Sequence, residues 1–149
     1  MKSSATVTKE EQAERLFTFL SGFQGIWIIG IGSKLGLFKA INKHKEGIHP
    51  SDLARELNLQ PLHVKAWCQA AYSLDLLEHD AETGYKLAPY MDSLLADDKD
   101  PYCFAGVGRY YVEASKDYHH LPTLFKTGGI VAMHQRGIGL VEASSEFSK

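Results

Sequence analysis

The sequence has few of the features that mark several classes of protein. Its 149 residues, 44% of them hydrophobic, include only two cysteines, Cys68 and Cys103, too few and too isolated for a disulfide framework or a zinc knuckle. The formal net charge is only -2, so nothing global draws the chain to nucleic acid or anionic lipid. The amino terminus, MKSSATVTKEEQAER, lacks the apolar core of a signal peptide. These absences favour a single cytoplasmic domain with one core.

The longest uncharged stretch lies between Arg15 and Lys34, and its length approaches that of a transmembrane helix. Polar residues and glycines interrupt it, and no basic cluster or aromatic belt flanks it, so we predict no membrane span. Its large apolar residues recur at intervals of three and four, which indicates a helix. A helix with no polar face has to be covered on nearly all sides, and we expect a second copy, in a homodimer, to supply part of the cover. The predicted dimer-interface residues are Phe19, Gly22, Phe23, Ile26, Trp27, Ile29 and Gly30.

The glycines of this stretch also invite comparison with a nucleotide-binding loop. Gly30, Gly32 and Gly36 follow an apolar run, but a dinucleotide fingerprint needs a strand, a glycine turn and a full helix. The spacing here is one residue too long, and the segment that follows is too short for that helix. We therefore interpret the glycines at 22, 25, 30 and 32 as points where another helix approaches closely, and Gly36 as the left-handed end of the helix.

The stretch from Gly47 to Pro89 has the residues that start and end the helices and the hairpin of a winged helix. Pro50 suits the start of a short helix, and Asn58 can adopt the left-handed conformation that ends it. Pro61 opens a second helix, which Asp75 ends in the same way. The runs LLEHD and YKLAP then flank a turn and indicate a hairpin. We predict a mainly α fold: a winged helix-turn-helix with extra amino- and carboxyl-terminal helices that form an intertwined dimer, and a short β-hairpin wing.

Many winged helices bind DNA, so a DNA-binding transcriptional regulator is the alternative function. The exposed face of the second helix offers His63, Lys65, Gln69 and Ser73, separated by small alanines. The wing carries Glu78, Asp80 and Glu82, which would repel phosphate. We therefore favour a packing scaffold and predict no nucleic-acid partner.

Four segments of the chain carry motifs of a known family. LGLFKAI, from Leu35 to Ile41, is similar to an L-G-L-F-D-A-L element, and SDLARELNLQPLHVKAWCQAAYSLDLLEHD resembles a pattern of E-L-A-x-x-L-G-L followed by L-x-A-L-x-x-L-G-L-L. YKLAPYMDSLLADD is similar to Y-x-L-T-P-x-G-x-x-L, and LPTLFKTGG, from Leu121 to Gly129, resembles L-x-x-x-x-R-T-G-G. From about Glu10 to Gly129, the chain thus resembles the amino-terminal, dimerising winged-helix domain of S-adenosylmethionine (SAM)-dependent small-molecule O-methyltransferases.

The resemblance implies a role without catalysis. In that family the domain intertwines with the same domain of a second subunit and helps to line the pocket for the acceptor substrate. A following Rossmann-like domain transfers the methyl group. After Gly129 the sequence has no glycine-rich loop behind a strand, and Gly137-Ile138-Gly139 is too short to hold adenosine. We therefore expect a fragment of a larger methyltransferase or a free-standing relative, inactive alone, with SAM bound by the parent enzyme and not by this chain.

The interpretation divides the single domain into successive segments. The carboxyl-terminal helices include a long helix near Pro101 to His120. The segments are a disordered tail (1–9), dimerisation helices (10–42), the winged helix (47–89), carboxyl-terminal helices (90–128) and a linker towards the missing catalytic domain (129–149).

Four aromatic residues are predicted to line the acceptor pocket: Phe23, Trp27, Tyr110 and Tyr111. Such side chains also serve as core and interface anchors. That structural alternative stays open for all four.

No catalytic, cofactor-binding or metal-ligating residue is predicted. His119 and His120 are adjacent, so on a helix they point about 100° apart and cannot bind one metal ion. Cys68 lies on the core-facing side of its helix, and neither cysteine has a nearby base in sequence.

Overall fold

A computed structural model describes residues 7–132 and residue 145. Within this part of the chain the fold is mainly helical, with one two-stranded antiparallel sheet, as predicted. The helices are α1 (Lys9–Lys34), α2 (Leu37–Lys43), α3 (Pro50–Leu57), α4 (Pro61–Ser73), α5 (Met91–Ala96), α6 (Ala105–Ser115) and α7 (Leu121–Thr127), and the strands are β1 (Leu77–Asp80) and β2 (Gly84–Leu87).

Helix α1 has well-defined ends. At its start the Thr8 side chain accepts a hydrogen bond from the Glu11 amide (3.1 Å), and the Glu11 carboxylate accepts one from the Thr8 amide (2.8 Å). This capping box satisfies two amides that the first turn leaves without helical partners. The helix therefore begins inside the predicted tail 1–9, of which residues 1–6 lie outside the described residues. At the other end Gly36 is left-handed, with φ of +72°, as predicted, and α2 follows at once.

The winged helix has the predicted order and ends. Asn58 and Asp75 both have the predicted left-handed backbone, with φ of +53° and +58°. Strand β1 pairs with β2 from Leu77 opposite Leu87 to Asp80 opposite Gly84. Ile48 adds a single bridge to Tyr85 on the other side of β2 and so joins the start of α3 to the wing.

The core is built from α2, α3, α4, α5 and the wing, and the carboxyl-terminal half of α1 packs against it. The rings of Phe38 and Trp67 pack edge to face with centroids 5.1 Å apart, and both side chains are buried. Gly32 permits this contact, because a Cβ atom there would lie 2.5 Å from each ring. The Trp67 indole N–H donates a hydrogen bond to the Ile28 carbonyl at 3.0 Å, so α4 is joined to the carboxyl-terminal half of α1.

Helix α6 packs against the carboxyl-terminal half of α1 through a second glycine contact. A Cβ atom on Gly30 would lie 2.5 Å from Val112 Cγ2 and 3.1 Å from the Gly108 carbonyl oxygen. Gly30 therefore lets α6 approach closely, and the predicted close approach of another helix is confirmed at this position. At Gly22, by contrast, a Cβ atom would meet nothing within 4 Å, and at Gly25 it would make only an ordinary contact.

The helix predicted near Pro101 to His120 is present but shorter and less regular than predicted. Helix α6 ends at Ser115, a 3-10 helix spans Lys116–His119, and α7 begins at Leu121. Pro122 lies in the first turn of α7, where its missing amide hydrogen costs no helical hydrogen bond. Before α6, the Asp100 side chain accepts the Tyr102 amide at 2.8 Å in a turn that delays the helix to Ala105.

Helix α1 is long and apolar enough to cross a membrane by length and composition, and little of it is buried. Its carboxyl-terminal half nevertheless carries contacts to the folded domain at Ile28, Gly30 and Gly32. These contacts support the sequence interpretation of α1 as a packing helix.

Candidate functional site: apolar patch and charged cleft

The amino-terminal half of α1 presents an apolar patch to solvent. Each of its five large side chains is more than half exposed. Exposed apolar areas of this kind on a soluble domain mark interaction surfaces, because water contact with them is unfavourable. We call this surface the α1 patch; it consists of Leu16, Phe17, Phe19, Leu20 and Phe23.

The seven predicted dimer-interface residues lie along α1 from its exposed half to its buried half. Ile29 and Gly30 already have a neighbour in their own chain, since both contact Gly108 of α6. Their burial therefore does not depend on a second subunit. The exposed members are Phe19, Gly22 and Phe23, the half-buried members are Ile26, Trp27 and Ile29, and Gly30 is buried.

The four predicted pocket-lining residues lie on α1 and α6. On α6 the rings of Tyr110 and Tyr111 form an edge-to-face pair with centroids 5.5 Å apart, and Tyr111 is about half exposed. On α1, Phe23 is exposed within the α1 patch, whereas Trp27 is half-buried. None of the four lines the cavity of about 800 Å³ that is described next.

That larger cavity is a cleft that sequence reasoning missed. It measures about 800 Å³ and lies between the end of α1, the start of α2, the loop before α6 and the first turn of α6. Charged residues line it, and the Lys39 ammonium group pairs with the Asp98 carboxylate. The dense charges of DDKDP were the only available signal. The charged residues of the lining are Lys39, Asp98, Lys99, Asp100 and Arg109.

The wing is a poor surface for a nucleic acid. Asp80 accepts hydrogen bonds from the amides of Thr83 (3.0 Å) and Glu82 (2.8 Å), and these bonds hold the pKa of its carboxyl below the usual value. It therefore stays anionic at neutral pH. Glu78 pairs with Lys86 across the two strands at 3.1 Å, so that lysine is already engaged. A phosphate backbone would meet the negative charge of the turn.

The two thiols differ in their surroundings. Cys68 is completely buried in the core, and burial raises the pKa of its thiol to about 12, so it carries no thiolate at neutral pH. Cys103 is half-buried and lies on the lining of the cleft. In residues 7–132 and 145, no three His, Cys, Asp or Glu side chains come together in a group that could hold a metal ion.

Comparisons with known proteins identify the fold. No protein-family model matches the sequence, and no curated protein matches it significantly. Among solved structures, one match is N,N-8-amino-8-demethyl-D-riboflavin dimethyltransferase (RosA) from Streptomyces davawensis. The aligned region covers 91% of this chain and 43% of the RosA chain, with 19% sequence identity and a TM-score of 0.65.

Two further structures match in the same way. PigF, solved with SAH, covers 95% of this chain with 44% of its own, at 15% identity and a TM-score of 0.68. A candidate O-methyltransferase from Nostoc punctiforme covers 89% of this chain with 42% of its own, at 15% identity and a TM-score of 0.62. The chain spans less than half the length of each of these structures. It therefore has the mainly helical, winged-helix fold that forms one part of methyltransferase structures, as the sequence resemblance predicted.

Proposed function

We propose that this chain is the non-catalytic, dimerising amino-terminal domain of a SAM-dependent methyltransferase that acts on a small molecule. The observation that carries the proposal is the match of about nine-tenths of this chain to less than half of methyltransferase structures. One of those relatives acts on a riboflavin derivative, and another was solved with SAH, the product that SAM leaves after methyl transfer. Methyl transfer itself then belongs to a further domain of the parent enzyme in the cytoplasm.

The α1 patch supports the dimerisation role. Its side chains have no cover within the described chain, yet the capping box at Thr8 and Glu11 holds the start of the helix in place. An ordered, apolar helix end that is exposed to water gains stability when a second apolar surface covers it. A second copy brings the same patch, and a twofold pairing would cover both at once.

The pocket-forming role is assigned to Phe23, Trp27, Tyr110 and Tyr111. Tyr111 and Phe23 each keep about half of their surface exposed, so they have apolar area left to offer an aromatic acceptor. In a dimer, Phe23 of one chain would reach the acceptor pocket of the other, which would make dimerisation a condition for substrate binding.

A direct test of dimerisation is the molar mass of the purified chain by light scattering at micromolar concentration. We expect twice the chain mass of 16.6 kDa for the wild type. The double variant Leu20→Ser/Phe23→Ser should be monomeric, because it places two hydroxyls in the centre of the apolar contact. Leu62→Ser is the matched control, since Leu62 is an exposed leucine on α4, outside the patch. A monomeric wild type would contradict the dimerisation role.

A second test asks whether SAM binding belongs to another domain of the parent enzyme and whether the chain binds DNA as a regulator would. Calorimetric titration with SAH should give no binding to the 149-residue chain and micromolar binding to the protein encoded by the complete gene. Titration with mixed-sequence DNA at two salt concentrations should give no salt-sensitive binding. Tight SAH binding by the chain alone, or salt-sensitive DNA binding that Lys65→Ala weakens, would overturn the proposal.

A further inference from the structure

The charged cleft has the size of a metabolite-binding site. Its volume of about 800 Å³ falls in the range of pockets that hold small molecules, about 300–1,000 Å³. The end of α1 and the start of α6 form its walls, and Gly36 and Gly106 are among the lining residues. None of the residues assigned to the dimer interface or the acceptor pocket lines it, so it is independent of the function proposed above.

The charges in the cleft favour an anion. Three cationic residues, Lys39, Lys99 and Arg109, line it together with two carboxylates. Both carboxylates are engaged: Asp98 pairs with Lys39, and Asp100 accepts the Tyr102 amide. Within the described chain, no carboxylate pairs with the ammonium group of Lys99, so its positive charge is available to a ligand.

The first turn of α6 adds backbone N–H donors, which also favour a bound anion. Its N-cap residue, Phe104, has no side chain that can accept a hydrogen bond, and the first turn contains no acidic residue. The amide groups that begin a helix carry partial positive charge and favour an anion when no side chain caps them. Gly106 and Val107 of this turn line the cleft together with the lysines.

Ser33, in the wall of the cleft, carries a hydroxyl group that makes no hydrogen bond within the described residues. Its hydroxyl oxygen is buried, and it has no hydrogen-bond partner among the described residues. Ser33 belongs to the lining of the cleft. A buried hydroxyl without a partner is unfavourable, and rotation about its χ1 torsion towards a bound acceptor would relieve this cost.

From these four features we infer that the cleft binds a small organic anion through its oxyanion group. The amides of the first turn of α6 and the Lys99 ammonium group hold the oxyanion. Lys39 keeps its pair with Asp98, so that carboxylate does not repel the ligand, and the remaining volume takes the rest of the molecule. Phosphate and carboxylate groups share the chemistry that this arrangement recognises.

The test is a two-dimensional amide NMR titration of the 149-residue chain at constant ionic strength, first with inorganic phosphate and then with citrate. We expect saturable shifts of the Gly106 and Val107 amides. A response to phosphate alone assigns a phosphorylated ligand, a response to citrate alone assigns a carboxylated one, and equal responses assign a general oxyanion site. The absence of saturable shifts at about 20 mM of either anion, well above millimolar affinity, overturns the inference.

Two variants and a control assign the response to the cleft. Lys99→Ala should weaken anion binding about tenfold, the value of one charge-assisted hydrogen bond, whereas Lys65→Ala on α4 should leave it unchanged. Gly106→Asp should abolish binding without lowering the melting temperature, because a carboxylate at the start of a helix complements its dipole. Equal losses in Lys99→Ala and Lys65→Ala would show a nonspecific charge effect and contradict the site. The dimer-breaking double variant should bind the anion like the wild type, so the two proposals can fail separately.

Discussion

Both halves of α1 carry large apolar side chains, but these have opposite surroundings. Before Gly25 the helix carries the α1 patch, whose side chains are more than half exposed. After Gly25 it packs against α4 and α6, and Gly30 and Gly32 admit neighbouring side chains that any Cβ atom would displace. Apolar periodicity thus shows that a helix needs cover, but the glycines, which occur in both halves, do not by themselves show where that cover comes from the same chain.

The largest expected difference between these regions is the cost of deleting a leucine side chain. Leu53 of α3 is fully buried, and Leu53→Ala should lower the free energy of unfolding by about 2–5 kcal/mol, through lost burial and a cavity. Leu20→Ala, in the α1 patch, should change it by less than about 0.5 kcal/mol in the dilute chain. Chemical denaturation measured at several protein concentrations tests both. If Leu20→Ala becomes costly only at high concentration, a second copy covers the patch.

Alanine substitution of two glycines in the same helix sharpens the comparison. Gly32→Ala places a methyl group 2.5 Å from the rings of Phe38 and Trp67, so overpacking of about 1–3 kcal/mol should outweigh a gain of about 1 kcal/mol in helix propensity. Gly22→Ala meets nothing within 4 Å and should stabilise the chain by up to about 1 kcal/mol. Opposite shifts of the melting temperature are the expected outcome, and a stabilised Gly32→Ala would refute the close packing of this half.

The smallest expected effect is a pH dependence at the junction of α1 and α6. Glu113 pairs with Lys116 and lies 3.6 Å from the Lys34 ammonium group, and its side chain is only 12% exposed. The hydrogen bond from Lys116, followed by the attraction of both lysines, holds the pKa of Glu113 below its ordinary value of 4.5. The pair therefore stabilises the fold above pH 4.5, and this stabilisation is lost as the pH falls through the lowered pKa.

Glu113→Gln tests this linkage. It should lower stability at pH 7 by about 0.5–1 kcal/mol, because both lysines are mostly exposed, and should have less effect at pH 3. Thermal unfolding of variant and wild type at the two pH values measures the difference. An equal loss at both values would assign Glu113 a packing role instead.

The parts of the fold that local chemistry determines could be predicted from the sequence. The left-handed positions at Asn58 and Asp75, with Pro50 and Pro61 at helix starts, define the winged helix within a few residues of each boundary. Pro122 carried an equally local signal, and the helix predicted near Pro101 to His120 stops before it; the later start at Ala105 and the change to a 3-10 helix at Lys116 were missed.

The cleft could not be predicted, because its walls come from distant parts of the sequence. Ser33 and Lys39 meet Asp98 and Lys99 only after α1, α2 and α6 have packed. In the same way, the glycine pattern indicated a close helix approach at Gly30 but not the identity of the approaching helix, since α6 carries its own glycine at the contact. Long-range pairing of this kind leaves no periodic signal in a single sequence.

The hydrogen bond from Trp67 to the Ile28 carbonyl has a geometric consequence. It joins the winged helix to the carboxyl-terminal half of α1, so α1 cannot slide by one turn or rotate about its axis without breaking this bond. The amino-terminal half of α1 therefore projects from the domain, and the Trp67 hydrogen bond fixes the helix's rotation about its own axis. Two chains that pair through the α1 patch would hold their wings in one fixed mutual orientation.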